Sequence, residues 1–117
     1  MMIHPELIRL LNLLLHQFPA SVDSLIRTEA HNHALGGAPH SGHVLGSAAD
    51  LLFDDPLLLI PAGRFAMQLG FTGVEVDLTN QHLHVDILPR TWRVVKSWNG
   101  ETALTDIDPK PPGLIHA

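Results

Sequence analysis

Nine histidines and no cysteine mark a chain of 117 residues. Without thiolates, metal chemistry would run on imidazole and carboxylate donors. One dense run of such groups is His82-Leu83-His84-Val85-Asp86. Alternate side chains of a strand share a face, so His82, His84 and Asp86 would point one way and Leu83, Val85 and Ile87 the other. A second pair is His43 and Asp50, seven positions apart. The small residues Gly46, Ser47, Ala48 and Ala49 between them let the backbone turn back, so both side chains reach one point. Two imidazoles and a carboxylate, with a fourth position left to water, are the usual donor set of a catalytic zinc. Each half also has a plainer reading. H-x-H fits a solvated sheet face, and a glycine-rich tract with histidines fits an ordinary flexible loop. Together the two halves favour a metal centre.

The elements that must position these groups follow from patterning. Pro5 to about Gln17 reads as a helix, with Leu7, Leu11, Leu14 and Leu15 at helical spacing and Ile8 and Leu10 widening the apolar face. Pro5 suits the first turn and Pro19 closes the segment. Residues 22–28 read as a short strand ending near Arg27. Residues 29–50 hold four His and four Gly, too much glycine for a helix throughout and no strand alternation, which predicts a long functional loop. Asp54-Asp55-Pro56 signals a helix cap, and Pro61 opens a second helix that Gly70 stops. Residues 72–77 and 82–88 alternate around Asp77-Leu78-Thr79-Asn80 and predict a β-hairpin. Residues 91–97 read as a further strand, with Asn99-Gly100 as a turn.

Composition narrows the functional class. The chain is 45% apolar and 16% charged, enough for a packed core and against intrinsic disorder. Its length predicts one domain over residues 1–117, with an irregular proline-rich tail over about 105–117. A net charge of −5 argues against a nucleic-acid partner. The apolar run at 7–15 lacks a basic flank and is too short to span a bilayer, so neither an export signal nor stable membrane insertion is expected.

Ser41-Gly42-His43-Val44-Leu45-Gly46-Ser47-Ala48-Ala49-Asp50 resembles the S-x-H-x-x-G-x-A-x-D motif of the zinc D-Ala-D-Ala carboxypeptidases and endopeptidases of peptidoglycan, which include the vancomycin-resistance dipeptidases and phage endolysins. All five fixed positions are present. The family's late H-x-H is matched by His82-Leu83-His84. Upstream, Arg27 precedes Asn32 by five and Gly36-Gly37 follows, as in the family, although Ser24-Leu25-Ile26 replaces the usual S-G-Y. The resemblance runs from about residue 5 to 95.

The resemblance implies that His43, Asp50 and His84 bind Zn²⁺ and that Arg27 lies beside the substrate carbonyl or carboxylate. Ser41 reads as a hydrogen-bonding residue of the loop or a substrate contact, not a nucleophile, since a zinc-bound water makes one unnecessary. Many relatives carry an acid three residues before the last His, where this chain has Gln81. The remaining groups for moving the proton are His82, favoured because lysostaphin-type relatives use the first His of H-x-H, and the hairpin acids Glu75 and Asp77. Asp86 fits a role orienting His84 or His43, and also fits a solvated position. His31, His33 and His40 read as surface or supporting side chains, as do His4, His16 and His116. Trp92 and Trp98 fit a glycan cleft or packing at the core or rim.

The implied fold is α+β, a small antiparallel sheet packed with helices, of the zinc D,D-peptidase (hedgehog-like) type. The implied activity is zinc-dependent hydrolysis of peptidoglycan stem peptides or cross-links. An alternative is a non-catalytic zinc-containing module that binds cell wall, and a third reading is a His-rich metal buffer. The expected place of action is the cell wall or periplasm, which suits a phage or prophage lysis protein or a chain with another export route. A monomer is expected.

Overall fold

The computed structural model describes residues 3–24 and 46–106. Helix α1 spans Pro5–Gln17, as its leucine spacing predicts. Leu7, Leu10, Leu11 and Leu14 are buried, while Ile8 points outward instead of widening the apolar face. His4 caps the helix, its Nδ1 accepting from the Glu6 N–H at 3.1 Å. Helix α2 spans Leu59–Leu69. It follows a 3-10 turn at Pro56–Leu58, which Asp55 caps by accepting from the Leu57 N–H at 2.9 Å. Pro61 therefore lies within the first turn of α2 and does not open it; its missing N–H costs nothing where no intrahelical acceptor is available. Gly70 ends α2 in the left-handed region, at φ 112°.

Six strands form one sheet: β1 (Ser21–Ser24), β2 (Ala48–Leu52), β3 (Gly73–Asp77), β4 (His82–Asp86), β5 (Trp92–Ser97) and β6 (Gly100–Ala103), in the order β1-β2-β4-β3-β5-β6. The sheet is mixed, not wholly antiparallel as expected, because β5 runs parallel to β3. After the β3–β4 hairpin the chain crosses the start of β3 and pairs along its free side. Thr72 anchors this crossing: its carbonyl accepts from the Trp92 N–H at 3.0 Å and its hydroxyl donates to the Leu88 carbonyl at 2.6 Å.

One face of the sheet carries Ala49, Leu51, Val74, Val76, Leu83, Val85 and Val95, which join the α1 and α2 leucines in the core. Phe18 and Phe65 meet at 5.7 Å between ring centroids and tie α1 to α2. Burying each large aliphatic side chain contributes about 1.5–3 kcal/mol, and that gain fixes which face of β4 turns inward.

Two further expectations change. The tract 29–50 is not loop to its end, because Ala48, Ala49 and Asp50 begin β2. Alanine has weak strand propensity, yet its small side chain suits a strand closely covered by neighbours, and both alanines are fully buried. The strand expected at 22–28 is seen as Ser21–Ser24. Its continuation and the rest of the loop lie outside the described residues, as does most of the proline-rich tail, which begins with a 3-10 turn at Leu104–Asp106. β6 has no counterpart in the sequence reading.

Candidate metal and catalytic site

The polar face of the sheet carries three transverse rows. Strand register sets Glu75, His84 and Asp50 side by side across β3, β4 and β2. Asp77 and His82 form the next row toward the hairpin, with Leu52 beyond them. Gly73, Asp86 and Ala48 form the row at the other end. Asp50 is thus placed by strand pairing. The turning back of small residues that was expected holds only at Gly46, whose φ is 74°.

In the central row, His84 Nδ1 lies 3.1 Å from Asp50 Oδ1. Its Nε2 lies 2.7 Å from Asp86 Oδ2. Asp86 is fully buried, so the solvated alternative is excluded. Its carboxylate also accepts from the Leu88 N–H at 3.1 Å and from both terminal nitrogens of Arg90, at 2.8 and 2.7 Å. Gly73 stands directly opposite Asp86, and a Cβ there would overlap the carboxyl group. Burial opposes charge on both members of the pair. For His84 it is outweighed by hydrogen bonds to Asp50 and Asp86 and by their charges, which lift the imidazole to about 9. For Asp86 burial is outweighed by hydrogen bonds from His84 and Arg90, which hold the carboxyl down at about 2. An imidazolium held between two carboxylates is the arrangement a divalent cation exploits, by replacing the proton on one ring nitrogen.

The donor set fits zinc. Bonds of about 2.0–2.2 Å at tetrahedral angles put neighbouring nitrogen and oxygen donors roughly 3.3 Å apart, close to the Asp50–His84 separation. The other ring nitrogen rests on a carboxylate, as in metal-binding histidines generally. Among the described residues, no group of three or more such side chains is arranged to hold an ion. The Asp50–His84 pair therefore needs a third donor. The residue the motif assigns, His43, lies outside the described residues, as do Arg27, Ser41, His31, His33, His40 and His116.

A cleft of about 200 Å³ opens over these rows, lined by Asp23, Asp50, Glu75, Asp77, His82 and His84. His82 Nε2 lies 3.2 Å from Asp23 Oδ2 on β1. Glu75 has Lys96 at 3.8 Å. Asp77 serves the hairpin turn: it accepts from the N–H groups of Thr79 and Asn80 and from the Asn80 side chain. Burial works against its charge, and these bonds with Lys96 nearby more than offset it, leaving the carboxyl below its ordinary value. Gln81 adopts φ 55° and donates its amide to the Phe53 carbonyl at 2.9 Å, so it ties the turn to the end of β2. His4 and His16 are exposed, as expected. Trp98 is 88% exposed and Trp92 42%, so neither packs in the core.

Three contributors escaped the sequence reading. Arg90 is four residues after Asp86 in a connector, where no helical spacing flags a pair. Asp23 is 59 positions from His82. Gly73 opens a strand, and a glycine in a strand pattern is a usable signal of close approach.

A family model described as Peptidase M15 matches residues 2–86. The chain belongs to the M15 peptidase family, the zinc D-Ala-D-Ala peptidases. The match covers Asp50 and His84 and ends on Asp86 itself. No curated protein and no solved structure matches the chain significantly.

Proposed function

We propose that this M15 peptidase hydrolyses peptide bonds in peptidoglycan stems or cross-links, with zinc held by His43, Asp50 and His84. The observation that carries the reading is the Asp50–His84–Asp86 arrangement, in which two motif residues face each other at 3.1 Å and a buried carboxylate backs the imidazole. When bound, zinc supplies a Lewis acid and brings the pKa of water down to about 7. His43, Asp50 and His84 would hold it, and Asp86 orients the His84 ring. His82 takes up the water's proton and returns it to the leaving amine, since it lines the same cleft two residues from His84. Glu75, across the strand from His84, is the other group placed for that transfer. Arg27 stabilises the developing oxyanion, and with Ser41 it orients the substrate.

The helices cover the opposite sheet face, so the cleft and its polar residues lie on the face away from them. The reaction favoured here is endopeptidase or endolysin-like action on cross-linked polymer in the cell wall or periplasm, by a phage or prophage enzyme among other sources. The α+β mixed sheet supports the zinc D,D-peptidase (hedgehog-like) fold, and the proposal takes the chain as one domain acting as a monomer. No helix among the described residues is long and apolar enough to cross a membrane.

Metal analysis should find one zinc per chain, and mass spectrometry of digested muropeptides should show cleaved cross-links. Release of free D-Ala alone would assign a carboxypeptidase instead. Cell-wall hydrolysis unchanged in His43→Ala and Asp50→Ala would end the proposal. Gln81, whose amide is spent on backbone carbonyls, favours the second reading of a zinc-containing module that binds wall without cutting it. Zinc binding without any product would establish that reading.

A further inference from the structure

We infer that Arg90 is a positioning residue for the metal centre: its guanidinium holds Asp86 in the one orientation that turns His84 Nδ1 toward Asp50. The inference rests on the zinc reading above. Both carboxylates only accept, so a neutral ring has one hydrogen for two acceptors; Asp86, closer at 2.7 Å against 3.1 Å and held by Arg90, takes it at Nε2. With Nε2–H committed at 2.7 Å, Nδ1 is the atom left to face Asp50. The choice of donor atom on His84 thus depends on where the Asp86 carboxylate points.

Three features fix that direction. Arg90 grips both oxygens, Nη1 to Oδ1 and Nη2 to Oδ2, in the fork geometry that only a guanidinium offers. The Leu88 N–H adds a bond to Oδ1. Gly73 supplies the space, because any Cβ there would displace the carboxyl. The parallel pairing of β5 with β3 accounts for Arg90's place. It makes the chain leaving Asp86 cross the start of β3, anchored at Thr72, and this carries Arg90 back over Asp86. Asp86 is fully buried and Arg90 is 42% exposed, so the arginine reaches in from the surface and its removal leaves the core apolar packing in place.

The test compares wild type with Arg90→Ala, Arg90→Lys and Gly73→Ala. Zinc affinity is measured by competition with a chromophoric chelator. The His84 tautomer is read from long-range ¹H–¹⁵N spectra of the metal-free protein at a pH where the ring is neutral. Arg90→Ala should weaken zinc binding about 10- to 100-fold, the usual cost of losing a group behind a metal ligand, and should give a mixture of Nε2–H and Nδ1–H forms. Arg90→Lys should restore part of the affinity, because one ammonium replaces the charge but not the fork. Gly73→Ala should repeat the tautomer change. A lowered melting temperature in Arg90→Ala with wild-type zinc affinity and a pure Nε2–H ring would reduce the arginine to a structural ion pair and overturn the inference. If wild type binds no zinc, the functional reading falls, and the tautomer measurement still decides the role of Arg90.

Discussion

His82 and His84 stand two residues apart on one face of β4, and their surroundings differ in depth, in the number of partners and in what backs those partners. His84 has carboxylates on both ring nitrogens, one of them on the fully buried Asp86 that Arg90 grips. His82 has Asp23, a half-exposed residue of the edge strand. Side-chain exposure is 24% for His84 and 33% for His82, so solvent access alone does not separate them. What separates them is whether the partner is itself held. A histidine locked on both sides offers one donor direction, as a metal ligand requires. A histidine with one exposed partner is held less firmly and lies open to the cleft, as a group that must reach the substrate requires.

The widest gap between the two should appear on removal of each ring. His84→Ala, like Asp50→Ala, should release the zinc and lower hydrolysis by on the order of a thousandfold or more, read by metal content and muropeptide turnover. His82→Ala should keep its zinc while kcat falls about 10²- to 10⁴-fold. Should His82→Ala turn over normally and Glu75→Gln not, the proton-transfer role belongs to Glu75, and the contrast becomes one between strands.

Next in size is the pH dependence of the metal-free protein. The Asp86 carboxyl, held at about 2 against an ordinary 3.8, contributes stability above the ordinary value that disappears as pH falls toward 2. The His84 ring, lifted from 6.5 to about 9, contributes stability fully present below 6.5 that is lost as pH rises through 9. Both shifts arise from the same hydrogen-bonded pair, and the pair contributes on the order of 2–3 kcal/mol. Urea midpoints measured with chelator should therefore be highest between about pH 4 and 6.5 and decline on both sides. A flat profile would dissolve the distinction drawn for His84. The smallest effect belongs to Asp23→Asn, which removes an exposed partner of His82. Its stability change should stay under about 1 kcal/mol, with any effect showing in kcat and not in zinc content.

Much of this was legible along the chain. Alternation gave the β3–β4 hairpin and the two faces of β4, because the apolar members had one place to go. Leucine spacing gave α1. Asp50 and His84 were matched by type and motif, but their adjacency was not, since register between β2 and β4 is set by the finished sheet. The tract before Asp50 read as loop through its glycines and alanines, whose small side chains carry little periodic signal even where they form a strand. Parallel pairing of β3 and β5 is a non-local choice, so the return of Arg90 to Asp86 had no local sign. The roles proposed for His43, Arg27 and Ser41 rest on the motif, since these residues lie outside the described ones.

Asp50 and His84 lie 34 residues apart in sequence, on strands joined by their backbone ladder and by this side-chain contact. An ion bridging them would act as a clamp across that seam. The outer two strands could then separate from the rest only after the ion had left. Amide protons of β1 and β2 should accordingly exchange with solvent more slowly as zinc is titrated in, by a factor that tracks occupancy. The chemistry of the cleft and the mechanical integrity of the sheet's margin would share a single control.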